Sequence, residues 1–280
     1  MAERVKNVSD QTSNPMNLIE ALKNSAKSKK SKIAIGAGSE RAGYLEKVVR
    51  AAEECENVVV VGDSRIKGIS SEVEYVESRN VERDLINLLE EGVVDAIVRG
   101  SARAKEFLAS IRESFNPERL ARIAILETPS EKSFLFAPVG IDEGWTIAEK
   151  RFIIEEGSKI LESLGLTPKI GILSGGRQQD YGRHKIVDKT LKNAEKLAAY
   201  YKNATNYSIL IEDAIEDNAN LIIPPNGIVG NLIFRTLVFL GNGRGYGAPI
   251  VGVERPCIDT SRAQSKEGYI RAIMTAKALS

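Results

Sequence analysis

Arginine stands beside glycine, serine or other small residues at several places in this chain, and such combinations bind anions. Ser174-Gly175-Gly176-Arg177 continues through Asp180 and Gly182 to Arg183. Consecutive glycines can turn successive backbone N–H groups toward one point, which makes a nest for an anion. Arg177 and Arg183 add guanidinium forks suited to phosphate or carboxylate. Near the C-terminus, Ser261-Arg262 places a hydroxyl next to a guanidinium. That pair can hold a phosphate or stabilise a developing oxyanion. Arg99 and Arg103 follow the apolar run Val94–Val98. They point either to an anionic ligand or to a solvated helix face.

Other chemistries find little support. His184 is the single histidine, which removes any His-His metal site, and it reads better as a helix-start residue than as a catalyst. Cys55 and Cys257 lie far apart, in no metal-ligand spacing, and read as reduced thiols of a cytoplasmic protein. A net charge of +1 gives no electrostatic reason to expect nucleic acid or an anionic membrane surface. No apolar run approaches the roughly 20 residues needed to span a bilayer, so no membrane insertion is expected. Met1 to Asn17 is polar and lacks the apolar core of a signal peptide.

The elements that must position these residues alternate. Strands are predicted at 32–37, 57–61, 72–76 and 94–98, with helices at 43–54, 81–91 and 102–112 between or after them. Such alternation implies a mainly parallel sheet covered on both faces. After Asn116-Pro117 the texture changes. Strands at 122–126 and 133–137 have only Thr128-Pro129-Ser130 as a turn between them, which predicts a hairpin. A helix at 146–164, a strand at 169–173, a helix at 183–202 and a strand at 207–211 follow. Leu221–Ile223 is then a strand halted by Pro224-Pro225, Ile228–Leu240 a helix, and Pro249–Val253 a strand. The division expected from this pattern is a polar lead-in at 1–31, a first α/β domain of 32–119 with 252–280, and a second of 120–251.

The loop Gly36-Ala37-Gly38-Ser39-Glu40-Arg41-Ala42-Gly43 follows a strand and opens a helix, the context of a dinucleotide site. The G-x-G-x-x-G spacing would require glycine where Arg41 stands, so a tight strand-to-helix turn is the simpler reading.

One long stretch carries a resemblance. After Leu221–Ile223 come P-x-N-x-x-x-G-N (Pro224 to Asn231), a helix, G-x-P (Gly247 to Pro249), a strand, and P-x-x-D-x-S-R (Pro256 to Arg262). This order resembles the phosphate acetyl/butyryl transferase family, and Ala272–Ala276 is similar to that family's terminal helix. The form S-G-G-R-x-x-D-x-G-R at 174–183 is similar to a methanogen-specific branch of that superfamily, methanogenesis marker protein 4, named as subunit X of a methyltransferase. The resemblance implies a two-domain α/β fold of the phosphotransacetylase and isocitrate-isopropylmalate dehydrogenase type, with mainly parallel sheets and an interdomain cleft. It implies a homodimer, a cytoplasmic location and a transferase acting in methanogen one-carbon metabolism, with other methyltransferase subunits as partners. The expected cleft is lined by Ser174 to Arg183, Asn226 to Asn231 (Asn226, Gly230 and Asn231 above all) and Ser261-Arg262. Its ligand would be small and anionic, coenzyme A or another phosphate-bearing molecule, with no metal. Acyl or phosphoryl transfer, and ligand binding without catalysis, are the alternatives. The family's acid, six residues after the arginine, is replaced here by Gly268, and Glu267 lies about 100° further round the helix. The binding half of the site is thus kept, and the proton-transfer half has no matching acid at that position.

Overall fold

The computed structural model describes residues 16–39, 41–64, 66 and 73–280. Glu72, at the start of one predicted strand, and Glu40, in the first glycine loop, lie outside the described residues.

The N-terminal half alternates as its pattern requires: α1 (Leu18–Ser28), β1 (Ile33–Ala37), α2 (Ala42–Glu53), β2 (Val58–Gly62), β3 (Glu74–Glu77), α3 (Val81–Glu90), β4 (Ala96–Val98) and α4 (Ala104–Phe115). Next come β5 (Ala121–Arg122), β6 (Ala124–Glu127), β7 (Ser133–Phe136), α5 (Ile147–Ser163), β8 (Ile170–Leu173), α6 (Lys185–Tyr200), β9 (Ala204–Ser208) and α7 (Ile211–Glu216). The chain closes with β10 (Leu221–Ile223), α8 (Gly227–Phe239), β11 (Arg244–Gly245), β12 (Ala248–Val251), β13 (Cys257–Asp259) and α9 (Lys266–Leu279).

Two sheets result. One runs β3-β2-β1-β4-β13-β12-β5 and is parallel through β13, after which β12 is antiparallel to both neighbours. The other runs β11-β6-β7-β10-β8-β9, with β6 and β7 forming the expected antiparallel hairpin and β7, β10, β8 and β9 parallel. The central strands β1 and β2 are buried along their whole length. Helices cover both of their faces, so an Ile/Val/Ala run without alternation is what burial demands. Helix α9 packs on β1 and β4 and also against α1. Ser25 Oγ donates to the Ala278 carbonyl, tying the two helices at the end of the chain.

One predicted strand is displaced. The reading at 207–211 followed the apolar run through Ile211, whereas β9 covers Ala204–Ser208. β9 is an edge strand and mostly half-buried, so it needs no apolar run. Ser208 turns out of it with φ 57°, and the apolar residues after it feed α7 instead. β11 and β13 are too short to announce themselves, yet β13 supplies the strand end that carries Asp259 and leads to Ser261.

Candidate functional site

In a parallel sheet, loops from the carboxyl ends of the strands meet along one edge. β1, β4 and β13 are parallel, with β4 between the other two. Their ends therefore bring Gly38-Ser39, Arg99 and Ser261-Arg262 together. They line a cavity of about 560 Å³ with Arg41, Tyr44, Arg103 and Ala104. Of the predicted residues, Ser261, Arg262, Arg99 and Arg103 are thus united.

The cavity is cationic by construction. Arg41, Arg99, Arg103 and Arg262 reach it, and no carboxylate among the described residues lines it. Two of these guanidiniums are held from behind. Arg99 is 4% exposed, and its Nε donates to Asp259 Oδ1 while Nη1 donates to the Ala102 carbonyl. Arg103 donates from Nε and Nη2 to the two carboxylate oxygens of Glu82, at 3.1 and 3.2 Å. Burial alone would push the Glu82 carboxyl up, but the hydrogen bonds and charge of Arg103 outweigh it and hold the carboxyl below its ordinary value. Arg262 is exposed and makes no ion pair among the described residues.

The helix ends sharpen this picture. Asn17, Asn80, Thr146, His184, Asn226 and Ser265 cap α1, α3, α5, α6, α8 and α9 with side-chain acceptors. Helices α2 and α4 have Arg41 and Arg103 at the cap position, with no side-chain cap bond. Both start at the 560 Å³ cavity. A cation cannot accept from the first-turn N–H groups; at α4 the Glu82 carboxylate, accepting from Arg103 N at 2.7 Å, already answers part of the helix's positive end, whereas no carboxylate among the described residues does so at α2. Sequence reasoning took Arg41 only as a residue that excludes a dinucleotide loop. The signal it missed was arginine where a capping side chain is expected.

A second cavity, of about 180 Å³, shares Arg99, Ala104 and Ser261 with the first. Asp259, Arg122, Asn231, Arg235 and Gln264 are among its other walls, with Val139 and Phe234 as apolar surface. Asp259 bridges two guanidiniums, Arg99 through Oδ1 and Arg122 through Oδ2 at 3.7 Å. Arg122 is also bound by Glu143 at 2.7 Å and Asp142 at 3.0 Å. Burial pushes the Glu143 carboxyl up, and Arg122 only partly reverses it. Arg122 and Gln264 were not singled out by sequence, because neither stands in a motif.

Asn231 does reach this second cavity, and its Nδ2 donates to the Val139 carbonyl at 2.8 Å. Asn226 and Gly230 have architectural places instead. The Asn226 Oδ1 accepts from the N–H groups of Ile228 and Val229, both at 3.1 Å, which commits it to capping α8. A Cβ on Gly230 would fall on the Pro138 carbonyl oxygen, so glycine there lets α8 approach the segment after β7.

The Ser174–Arg183 loop lines neither cavity. β10 separates β8 from β7, so this loop emerges one strand further along the sheet. Its donors are also committed. Gly175 N donates to Thr190 Oγ1, Arg177 N to Asp180 Oδ2 and Gly182 N to Asp188 Oδ1, each at 2.8 Å. Arg183 pairs with Asp180 at 2.6 Å, and Ser174 Oγ donates to the Gly176 carbonyl. The Thr190 hydroxyl and the carboxylates of Asp180 and Asp188 thus take the N–H groups of Gly175, Arg177 and Gly182. His184 caps α6 through Nδ1, as its place in the sequence suggested.

Ser261 does not cap α9; Ser265 does, accepting from Gly268 N at 3.2 Å. The Ser261 hydroxyl accepts only a long bond from Ala263 N, at 3.3 Å. A Cβ on Gly268 would lie 2.5 Å from Gln264 Oε1, so the Gln264 amide fills the space beside that glycine. Glu267 is exposed and lines neither cavity.

No group of three or more His, Cys, Asp or Glu side chains among the described residues is placed to hold a metal ion. No helix among them is long and apolar enough to cross a membrane.

No protein-family model matches the chain. Curated relatives do. A Methanosarcina acetivorans protein named "Putative methyltransferase mtx subunit X" is 42% identical over 269 residues, covering 94% of this chain and 95% of that one. An uncharacterized methyltransferase of Methanocaldococcus jannaschii is 35% identical, covering 86% of this chain and 94% of its own. Among solved structures, a branched-chain phosphotransacylase from Enterococcus faecalis matches with a TM-score of 0.72 at 20% identity, over 89% of this chain and 98% of that one. A phosphotransacetylase from Streptococcus pyogenes matches with a TM-score of 0.70 at 16% identity, over 94% and 98%. At such identities the structures speak for the fold alone, and the fold is that of the phosphotransacetylases. The level of identity to the methanogen proteins, over nearly the whole of both chains, places this protein in the family of methyltransferase mtx subunit X.

Proposed function

We propose that the chain is the anion-binding subunit of a methanogen transferase, seating a small phosphate-bearing molecule in the arginine-lined cavity. The observation that carries this reading is the convergence of two uncapped helix starts, each led by arginine, on Ser261-Arg262. Backbone N–H groups from α2 and α4 would hold phosphate oxygens, and Arg41 and Arg262 would add charge-assisted hydrogen bonds. Arg99 and Arg103 are held by Asp259 and Glu82, so any N–H groups they offer are set in place without having to be ordered by the ligand. In this reading Ser261 and Arg262 would touch a reacting oxygen. Coenzyme A and simpler phosphate compounds both fit this chemistry.

The transfer of a one-carbon group would be supplied by other subunits, consistent with the subunit names of the relatives. The reading extends to a homodimer in the cytoplasm, and to a two-domain division with the two cavities in the cleft between the domains. A specific observation favours a binding role over acyl transfer to phosphate. The position of the expected acid is Gly268, and Gln264, an amide with no basicity, fills the space beside it.

Calorimetric titration with inorganic phosphate tests the reading. Saturable binding should weaken at least tenfold in Arg262→Ala and fall steeply with salt. Equal affinity in wild type and Arg262→Ala would remove the basis of the proposal. Assay of acyl-phosphate formation from an acyl-coenzyme A and phosphate separates the enzymatic alternative, which the geometry predicts to be inactive.

A further inference from the structure

The side chain of Gln264 is 3% exposed, and its amide forms no hydrogen bond among the described residues. Its polar end opens onto the 180 Å³ cavity, so whatever fills that cavity must satisfy the amide. The fold holds this side chain in place. Gly268 makes room on one side of the amide, and on the other a Cβ at Gly245 would lie 3.3 Å from Gln264 Nε2. Gly245 is fixed in turn by Arg271, whose Nε donates to its carbonyl at 2.9 Å. Two glycines therefore frame one amide, and the amide lines the 180 Å³ cavity.

The neighbouring polar groups in that cavity are of the same kind. Asn231 spends its N–H on the Val139 carbonyl and keeps its own carbonyl oxygen uncommitted. The Ser261 hydroxyl stands where the small cavity joins the large one. Of the charged walls, Arg99 and Arg122 are neutralised by Asp259 and Glu143, while the exposed Arg235 lies over the Phe239 ring, 5.2 Å from its centroid. What remains unsatisfied is an amide that can both donate and accept, an acceptor beside it and a hydroxyl.

We infer that the small cavity is a recognition subsite for a neutral donor-acceptor group, of the carboxamide class, on the same ligand whose phosphate occupies the large cavity, with Gln264 as its specificity-determining residue. This rests on the phosphate reading of the large cavity. Ser261 is common to both compartments, so one molecule can span them. The Gln264 amide pairs with the ligand's carboxamide head to tail, and Asn231 Oδ1 accepts its remaining N–H. A ligand ending in a methyl group leaves those protein groups buried and unpaired, which is how sites built for hydrogen bonding reject analogues that lack the partner.

The test uses two dianions of matched head group, methylphosphonate and phosphonoacetamide, titrated calorimetrically into the full-length protein and its variants. Wild type should bind phosphonoacetamide about tenfold more tightly, the worth of one good net hydrogen bond. Gln264→Leu should abolish that preference. Gln264→Asn, which keeps the amide but withdraws it, covers the case in which the leucine variant does not fold. Methylphosphonate binding without any preference in wild type overturns the subsite and leaves the phosphate reading standing. A preference that survives in both variants overturns the assignment to Gln264. Failure of both probes to bind overturns the phosphate reading, and the subsite falls with it.

Discussion

Arg99 and Asp259 sit at the ends of adjacent parallel strands, β4 and β13, and their side chains are joined behind the cavity that both strand ends open into. Asp259 also faces Arg122 at 3.7 Å, so one carboxylate separates two buried guanidiniums. Asp259→Asn would keep the shape and remove the charge between them. Breaking a buried pair from one side leaves the other charge uncompensated, at a cost of about 3–5 kcal/mol. Urea denaturation should show a loss of that order. A change below about 1 kcal/mol would mean that Arg99 is satisfied without Asp259.

Gly230 is predicted to be intolerant for a reason the motif alone does not give. Alanine there would drive its Cβ into the Pro138 carbonyl oxygen, a backbone atom that cannot swing aside. Gly230→Ala should cost about 1–3 kcal/mol as overpacking does, with the segment after β7 displaced. Asn226→Ala should cost about 1 kcal/mol through the lost cap of α8. If either variant lowered phosphate affinity tenfold with unchanged stability, the residue would belong to the binding site and not to the scaffold.

These two residues also mark what was legible in the sequence. The alternation of apolar runs and amphipathic segments predicted nearly every long element, because buried parallel strands and helix stripes leave periodic signatures. The strand ends at Arg99, Ser261 and Arg262 were recognisable because a parallel sheet gathers such ends along one edge. The Ser174–Arg183 loop could not be read correctly from composition. Whether a glycine nest meets a ligand or the chain's own carboxylate depends on Asp180 and Asp188 folding back, which is a tertiary fact. Arg122 and Gln264 stand in no motif, and their role exists only where two sheets approach. The missing caps of α2 and α4 were visible as Arg41 and Arg103 but acquire meaning only when both helices point into one cavity.

Gly268 and Gln264 should be energetically coupled. Gly268→Ala forces the Gln264 amide to move, since the new Cβ would stand 2.5 Å from its oxygen. In a Gln264→Ala background the clash with the amide disappears, leaving only the Cβ of residue 264 at 3.3 Å. A double-mutant cycle on unfolding free energy should give a coupling of about 0.5–3 kcal/mol, the range for residues in contact. Additive single effects would place the amide elsewhere. The same geometry predicts that Gly268→Asp alone will not create acyl transfer activity, because the carboxylate and the amide compete for one space.

Lys150 offers a prediction with a pH signature. It is 3% exposed and lies on the stripe of α5 that also carries the buried Ile154. No carboxylate among the described residues forms an ion pair with it. Burial first and then the charge of Lys189 lower its ammonium from 10.5 to about 8, with Glu149 only partly opposing them. Between those two values the unfolded chain holds a proton that the folded chain has released, so stability rises as pH climbs through that window. Below about pH 8 both states are protonated and the full penalty is present, roughly 3 kcal/mol at 1.36 kcal/mol per pH unit. Lys150→Met keeps the length of the side chain and removes the charge. The variant should be more stable than wild type at pH 7 by up to that amount, and the advantage should shrink toward zero by pH 11. Urea titrations of both proteins across that range check it. A variant no more stable at pH 7 would show that the ammonium is solvated or paired, and an advantage independent of pH would assign the gain to packing.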